Sequence, residues 1–409
     1  MKRRLTTILP AVILTLGMLA GCASNAALSL NEANGAKALS SRQTKGSESE
    51  ADAMYQRLVG LNESDVVLIV DGQEATAGYF CYWINYIIKN YFGDEIDWTQ
   101  EANGQIITDY IKNVVKDVVA TQLIAERVAR SKGIQLTYED LANIETEIDY
   151  YINHYGQVAF SEAVENGIIN ESDFTSEEKE EWIKNAGEKK FKDVLTSMAT
   201  TLQGYREVCK GELYSKYLVD LLFYNGGALE PTAEDIEAYI RQNSIFCAKQ
   251  IFISAVDQEG NPLPENEKEN ALERAERLLE QIKSSEDPLA TFDSLMNEFS
   301  EDQGLSAYPN GYVYTKGSMI DEFENAVEAL DEGEISDIVE SQYGYHIILR
   351  LSADNDNTRA SYIQTCYENL LSNWLIAAVI EETEAFASID IQKFCEELAS
   401  IQAELKLES

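Results

Sequence analysis

The sequence predicts an α+β fold, in which N- and C-terminal segments build a mostly helical module and an inserted region has the order β-α-α-β-α-β-β. Three observations predict this fold. No proline lies between Pro10 and Pro231, and because proline interrupts helices, such a stretch favours helices. Four of the six prolines lie within residues 262–309, where short strand-like and helix-like runs alternate. Beyond Pro309 the chain has none, and residues 358–387 again have a helix-like pattern.

The N-terminus has the parts of a secretory signal. Basic residues at positions 2–4 precede an apolar run that is too short to span a membrane comfortably. The run ends in Leu-Ala-Gly-Cys at 19–22, which resembles the lipobox where bacterial lipoproteins are cleaved. We therefore expect residues 1–21 to be a lipoprotein signal peptide, and Cys22 to carry the lipid that anchors the protein outside the cytoplasmic membrane. The alternative is a secretory signal with an incidental cysteine.

The remaining boundaries follow from composition and periodicity. Residues 22–60 begin with a segment rich in Ala, Ser, Asn, Gly and Lys, which predicts a flexible tether. Residues 61–243 are predicted to form the N-terminal helical module, which opens with the strand-like run VVLIVD at 66–71. Thr137, followed by two acidic residues, is typical of a helix start. We expect the helices of residues 353–409 to complete this module, because an isolated amphipathic helix must bury its apolar side.

Composition argues against several functional classes. The formal net charge is −39, which argues against nucleic acid and anionic lipid headgroups as partners. The five cysteines after Cys22 are far apart and lack metal-ligand spacing, and the chain has only two histidines, so we expect no metal site. No P-loop, nucleophile elbow or dinucleotide fingerprint is present. We therefore expect no cofactor.

The inserted region is predicted to span residues 244–352. Its strand-like runs alternate apolar and polar residues, and its helix-like runs have apolar residues at helical spacing. The runs, in order, are a strand at 244–254, an amphipathic helix at 265–285, a shorter helix at 290–302, a strand at 312–319, a helix at 320–330, a strand at 333–341 and a closing strand at 344–351.

Three motifs in this region resemble the parvulin, or PpiC-type, peptidyl-prolyl isomerase domain. They are FSED at 299–302, KGSMIDEFENAVEALDEGEIS at 316–336 and VESQYGYHIILRL at 339–351. The rest of the chain resembles the SurA/PrsA group of extracytoplasmic foldases more weakly. That resemblance is carried by VVLIVDGQEATAGYF at 66–80 and by EPTAEDIEAYIRQN at 230–243.

The resemblance implies roles for individual residues. Asp302 and His346 match positions beside the X–Pro amide, and Met319 and Phe323 match the apolar pocket for the proline ring. The spacing of Met319 and Phe323 places both side chains on one helix face, which without the resemblance would suggest ordinary core packing. Gln250 stands where the family usually has its first histidine; since glutamine also donates and accepts hydrogen bonds, we include it in the catalytic group.

Other departures from the family pattern concern tyrosines. The sequence PNGY at 309–312 replaces a more usual Gly-Asp-Leu-Gly, so Tyr312 or Tyr314 is expected to supply the third apolar wall of the pocket. Tyr343 stands where many members have serine or phenylalanine, and we expect it too at the substrate site. Because of these departures, activity weaker than in the family is expected.

The expected function follows from the chemistry of the X–Pro bond. Rotation about the amide faces a barrier of about 18–20 kcal/mol and takes tens to hundreds of seconds unaided. An apolar pocket favours the twisted amide, which has lost charge separation. We expect an isomerase and chaperone for secreted or envelope proteins, whose partners are unfolded or partly folded polypeptides with X–Pro bonds. The alternatives are a parvulin-fold holdase that binds clients without isomerising them, favoured by Gln250, and a solute-binding lipoprotein, which would need two lobes of repeated βαβ units.

Overall fold

A computed structural model describes residues 47–93 and 95–407. Two compact units are present. The helical unit contains the described residues through Ala228 and those from Tyr367 onward, and the sheet unit spans Leu229–Cys366. The predicted signal peptide and the lipid attachment site at Cys22 lie outside the described residues.

The secondary structure alternates in chain order as follows. Through residue 228 the elements are α1 Ser47–Val59, β1 Val66–Val70, β2 Gln73–Thr76, α2 Ala77–Ile87, a π-helix Ile88–Phe92, β3 Glu101–Ala102, β4 Gln105–Ile106, α3 Ile107–Ser131, α4 Tyr138–Glu165, a 3₁₀ turn Glu171–Asp173, α5 Ser176–Ser197 and α6 Leu202–Phe223. Beyond it they are α7 Ala233–Asn243, β5 Ile245–Ser254, α8 Glu265–Ser284, α9 Pro288–Phe299, β6 Tyr312–Thr315, α10 Asp321–Ala329, β7 Val339–Ser341, β8 Gly344–Leu351, α11 Asp356–Ala377, β9 Ile380–Glu382, α12 Glu384–Ser388 and α13 Ile391–Leu407.

N-terminal and C-terminal residues share the core of the helical unit. Strand β1 turns into β2 at Asp71 and Gly72, both with positive φ, as a tight hairpin turn requires. Strand β9, from the C-terminal segment, pairs antiparallel with the other edge of β1. The ring of Phe80 packs edge-on against that of Phe386 at 5.6 Å, and Phe394 is fully buried. The predicted mostly helical α+β class is confirmed.

Two local predictions for this unit are wrong. Residues 47–59 of the predicted tether form helix α1, because Tyr55 and Leu58, three positions apart, both bury completely in the helical core. The helix-like pattern over 358–387 also breaks: α11 ends at Ala377, and β9 and α12 follow. Pairing of β9 with β1 outweighs the local helical pattern there.

The sheet unit has a four-stranded antiparallel sheet with strand order β6-β5-β8-β7. One face, which includes Ile251 and Ile347, packs on α8 and α9. The opposite face, which includes Ala248 and Ile348, packs on Phe323 and Val327 of α10. The predicted order β-α-α-β-α-β-β is confirmed, and it places the predicted site residues on the α10 face.

The described part of the chain contains no helix that is long and apolar enough to cross a membrane. The five cysteines after Cys22 are free thiols, and Cys81, Cys209 and Cys247 are buried. Burial raises the pKa of the Cys247 thiol above its ordinary value, so this thiol stays protonated at neutral pH.

Candidate active site

Gln250 and His346 lie on one face of the central strand pair. In the register of β5 and β8, Phe252 is opposite His346, and Gln250 is two residues further along β5. Side chains two residues apart on a strand point to the same face, so Gln250 is a diagonal neighbour of His346. Their side chains are hydrogen-bonded, with Gln250 Oε1 2.7 Å from His346 Nδ1.

Asp302 joins this pair from the loop that follows α9. Two hydrogen bonds hold the loop against β5: the Glu301 N–H donates to the Phe252 carbonyl at 2.8 Å, and the Phe252 N–H donates to Ser300 Oγ at 3.1 Å. Gln250 Nε2 then donates to Asp302 Oδ2 at 2.8 Å. The three residues predicted to be catalytic are therefore linked side chain to side chain.

The hydrogen bonds of this chain fix the tautomer of His346. An ionised carboxylate only accepts, so the Gln250 amide nitrogen faces Asp302 and its oxygen faces His346. His346 Nδ1 must therefore carry the ring proton and donate to Gln250. The other ring nitrogen, Nε2, then accepts from the Ser341 hydroxyl at 2.7 Å. The sequence analysis missed Ser341, although it lies in the quoted VESQYGYHIILRL motif.

Tyr312 holds the far end of the chain. Its hydroxyl donates to Asp302 Oδ2 at 2.9 Å, and the Gly304 N–H donates to Asp302 Oδ1 at 2.9 Å. A Cβ atom at Gly304 would lie 2.1 Å from the Tyr312 hydroxyl oxygen, so only glycine at 304 lets Tyr312 reach the carboxylate. Tyr312, predicted as an apolar wall, thus also has a polar role that the sequence pattern did not reveal.

An apolar cluster lies on the other side of His346. Phe323 is 3% exposed, and its ring centroid is 6.3 Å from that of His346 and 6.0 Å from that of Tyr314. Met319 is half-buried and packs against the same cluster. Tyr343 does not belong to this cluster; it is 45% exposed. We refer to Met319, Phe323 and their neighbours in this cluster as the apolar pocket.

An open cleft of about 670 Å³ adjoins the polar chain. Gln250, Asp302 and His346 line it together with Phe252 and Tyr343. The polar chain therefore lies between the apolar pocket and a solvent-filled cleft, where an extended polypeptide has room to lie.

Burial makes His346 a neutral residue. The side chain is 5% exposed, and desolvation lowers the pKa of His346 from 6.5 to about 4, although the carboxylates of Asp302 and Glu322 act in the opposite direction. At pH 7 the ring is uncharged, which agrees with one donating and one accepting nitrogen. Such a ring orients its neighbours without adding charge to the site.

The arrangement suits a reaction without nucleophile or cofactor. Within residues 47–93 and 95–407, no group of His, Cys, Asp or Glu side chains could hold a metal ion. Isomerisation of an X–Pro bond needs the proline ring held in an apolar pocket and the amide placed beside oriented polar groups. The site offers both features side by side.

Comparisons with known proteins give the family of the sheet unit. The family model described as "Rotamase: PPIC-type PPIASE domain" matches residues 251–352. Foldase protein PrsA 3 of Bacillus cereus is 36% identical over 94 residues, which are 22% of this chain and 33% of that protein. Foldase protein PrsA of Halalkalibacterium halodurans is 27% identical over 217 residues, 49% of this chain and 59% of that protein. The chain therefore spans less than two thirds of either relative.

Among solved structures, PrsA from Bacillus subtilis matches 83% of this chain and 93% of its own, with 17% identity and a TM-score of 0.24. The family match covers β5, β8 and every element between them, so it includes all the residues of the site except Gln250, which precedes it by one position. Residues 251–352 thus form a parvulin, or PPIC-type PPIase, domain within a chain similar to the PrsA and SurA foldases.

Proposed function

We propose that the protein is a peptidyl-prolyl cis-trans isomerase and chaperone that assists the folding of secreted or envelope polypeptides. The observation that carries this proposal is the continuous chain Asp302–Gln250–His346 beside the apolar pocket, in a domain that matches the PPIC-type family. The relatives bear the names foldase and chaperone, which supports unfolded or partly folded proteins as its clients.

In this proposal the proline ring of a client lies against Met319 and Phe323. The X–Pro amide then lies beside Asp302 and His346, and the apolar surroundings favour the twisted amide over the planar one. Gln250 is a positioning residue, because its amide holds His346 in one tautomer and ties it to Asp302. No covalent step is needed, because only the rotation of one bond is accelerated.

The test of the proposal is a proline isomerisation assay on the full chain with short X–Pro peptides, which includes Gln250→His. One nitrogen of the new imidazole can donate to Asp302 while the other accepts from His346, so the direction of the chain is kept. A rigid ring loses less rotamer freedom than glutamine on ordering. We expect wild type to be measurably active, and Gln250→His to raise kcat/KM severalfold, by roughly 1 kcal/mol of transition-state stabilisation.

Gln250→Ala is the matched control, since it removes both hydrogen bonds and should lower kcat/KM below wild type. No isomerisation by wild type would refute the isomerase proposal. If client binding and suppression of aggregation persisted in that case, the protein would be a holdase.

The N-terminal signal supports a further part of the proposal, that the mature protein is anchored by lipid on Cys22 outside the cytoplasmic membrane. Cys22→Ala should move the protein from the membrane fraction to the soluble fraction, because it removes the acylated sulfur. Ser29→Ala, nearby in the chain, is the control and should stay with membranes. A Cys22→Ala protein that still sediments with membranes would contradict the anchor.

A further inference from the structure

The cleft beside the polar chain is rimmed by negative charge. Asp257, Glu301 and Asp302 line it, and no lysine or arginine of the described chain lines it. Hydrogen bonds from the backbone N–H groups of Asn261, Glu259 and Gly260 lower the pKa of Asp257, so its carboxylate stays ionised well below neutral pH. The cleft is therefore a place where a cation is favoured and an anion is repelled.

The positions of these carboxylates are fixed by the end of strand β5. Glu301 Oε2 accepts from the Ser254 backbone N–H at 2.7 Å, and its other oxygen accepts from Arg274 at 2.7 Å. Arg274 therefore offsets part of the Glu301 charge from outside the cleft. Asp257 has no ion pair among the described contacts and Asp302 bonds only neutral donors, so these two carboxylates carry most of the uncompensated charge.

Aromatic rings supply a surface for the stem of a long side chain. Tyr343 is 45% exposed and lines the cleft, as does Phe252. Lysine and arginine lay their methylene groups along such rings while the charged head reaches polar partners, and the head also gains from the ring face. Exposed aromatic surface beside carboxylates thus matches a long cationic side chain better than a short or acidic one.

The order of the subsites determines which client residue enters the cleft. Phe323, in the apolar pocket, contacts His346 on one side, and the cleft opens on the other side of the same polar chain. A proline ring against Phe323, with its amide beside Asp302 and His346, directs the residue before the proline away from the pocket and into the cleft.

We propose that this cleft selects clients with lysine or arginine immediately before the isomerised proline. The inference rests on the proposed isomerase function and names the substrate class of that site. Asp257 and Glu301 are the residues that determine the preference, and Tyr343 supports the stem of the cationic side chain.

The experiment measures kcat/KM of the full chain on three peptides that differ only before the proline: Lys-Pro, Leu-Pro and Glu-Pro. Partly exposed charge contacts are each worth less than about a factor of five. One attraction and one avoided repulsion therefore predict a Lys-Pro to Glu-Pro ratio of about tenfold at low salt, falling towards about twofold in 0.5 M salt because screening weakens both contacts.

The double variant Asp257→Asn with Glu301→Gln tests the residues. Each amide keeps an oxygen that can accept the backbone hydrogen bonds, so the loop is expected to stay folded. The Lys-Pro to Glu-Pro ratio should fall to about two or less, while kcat/KM for Leu-Pro changes little. The control is Glu269→Gln with Glu276→Gln, which removes two exposed charges from α8, on the opposite face of the sheet, and should leave the ratio unchanged.

The outcomes separate the two claims. Clear activity with a ratio near one in wild type would overturn the inference and leave the isomerase function intact. An equal fall of the ratio in the control variant would assign the preference to overall net charge and overturn the role of the cleft. No isomerisation of any peptide would refute the proposed function, and the inference with it.

Discussion

Asp302→Ala is expected to lower kcat/KM for isomerisation by about a hundredfold, the usual scale for removal of a preorganised electrostatic group. Asp302 accepts from Gln250 Nε2, the Tyr312 hydroxyl and the Gly304 N–H. Its loss leaves three donors without an acceptor and frees the Gln250 amide to rotate. His346 then loses the partner that fixes its tautomer, so the site is disordered as well as less charged.

Two further variants interpret that loss. Asp337→Ala removes an exposed carboxylate of the same domain, whose ion pair with Lys283 is at the surface and contributes little to stability, so activity should stay within about twofold of wild type. Tyr312→Phe keeps the carboxylate but removes one donor, and its activity should lie between those of Asp302→Ala and wild type. If Asp302→Ala folded normally and kept more than half of the wild-type kcat/KM, Asp302 would have no part in the reaction.

The sequence motifs predict the ends of this site better than its connections. Asp302 and His346 lie in motifs with family spacing, and alternation along β5 and β8 is enough to place Gln250 and His346 on one face. The hydroxyl partners are different. Ser341 and Tyr312 reach the site from a strand end and a loop end, where the direction of a side chain depends on tertiary contacts that no local pattern encodes.

The same distinction explains the errors in the fold. Helix α1 looked like a tether because its composition is polar, but two apolar residues three apart, Tyr55 and Leu58, suffice once a core is present to receive them. Strand β9 has only three residues, and its partner β1 lies about 310 positions earlier in the chain. Local propensity cannot predict so short a strand, because its stability comes from the pairing itself.

Acidification from pH 7 to pH 4 should destabilise the sheet unit, and His346 should contribute up to about 3 kcal/mol of the loss. Burial lowers the pKa of His346 to about 4 in the folded protein, against about 6.5 when unfolded. Between these values the unfolded chain binds more protons, so stability is complete above pH 6.5 and falls as the pH drops towards 4. Glu324, whose pKa is lowered by the backbone N–H groups of Met319 and Gly317, adds a loss of the same sign in more acidic solution.

The measurement is amide hydrogen exchange in β5 and β8, corrected for the pH dependence of the intrinsic rate. Tryptophan fluorescence would miss the effect, because Trp83, Trp98, Trp182 and Trp374 all lie in the helical unit. His346→Gln is the control: a neutral amide can keep a hydrogen bond to Gln250 but cannot gain a proton, so its stability should change little between pH 6.5 and pH 5. Since only the difference between wild type and His346→Gln isolates the histidine from the carboxylates, equal pH dependence in both proteins would mean that His346 is not held neutral by burial.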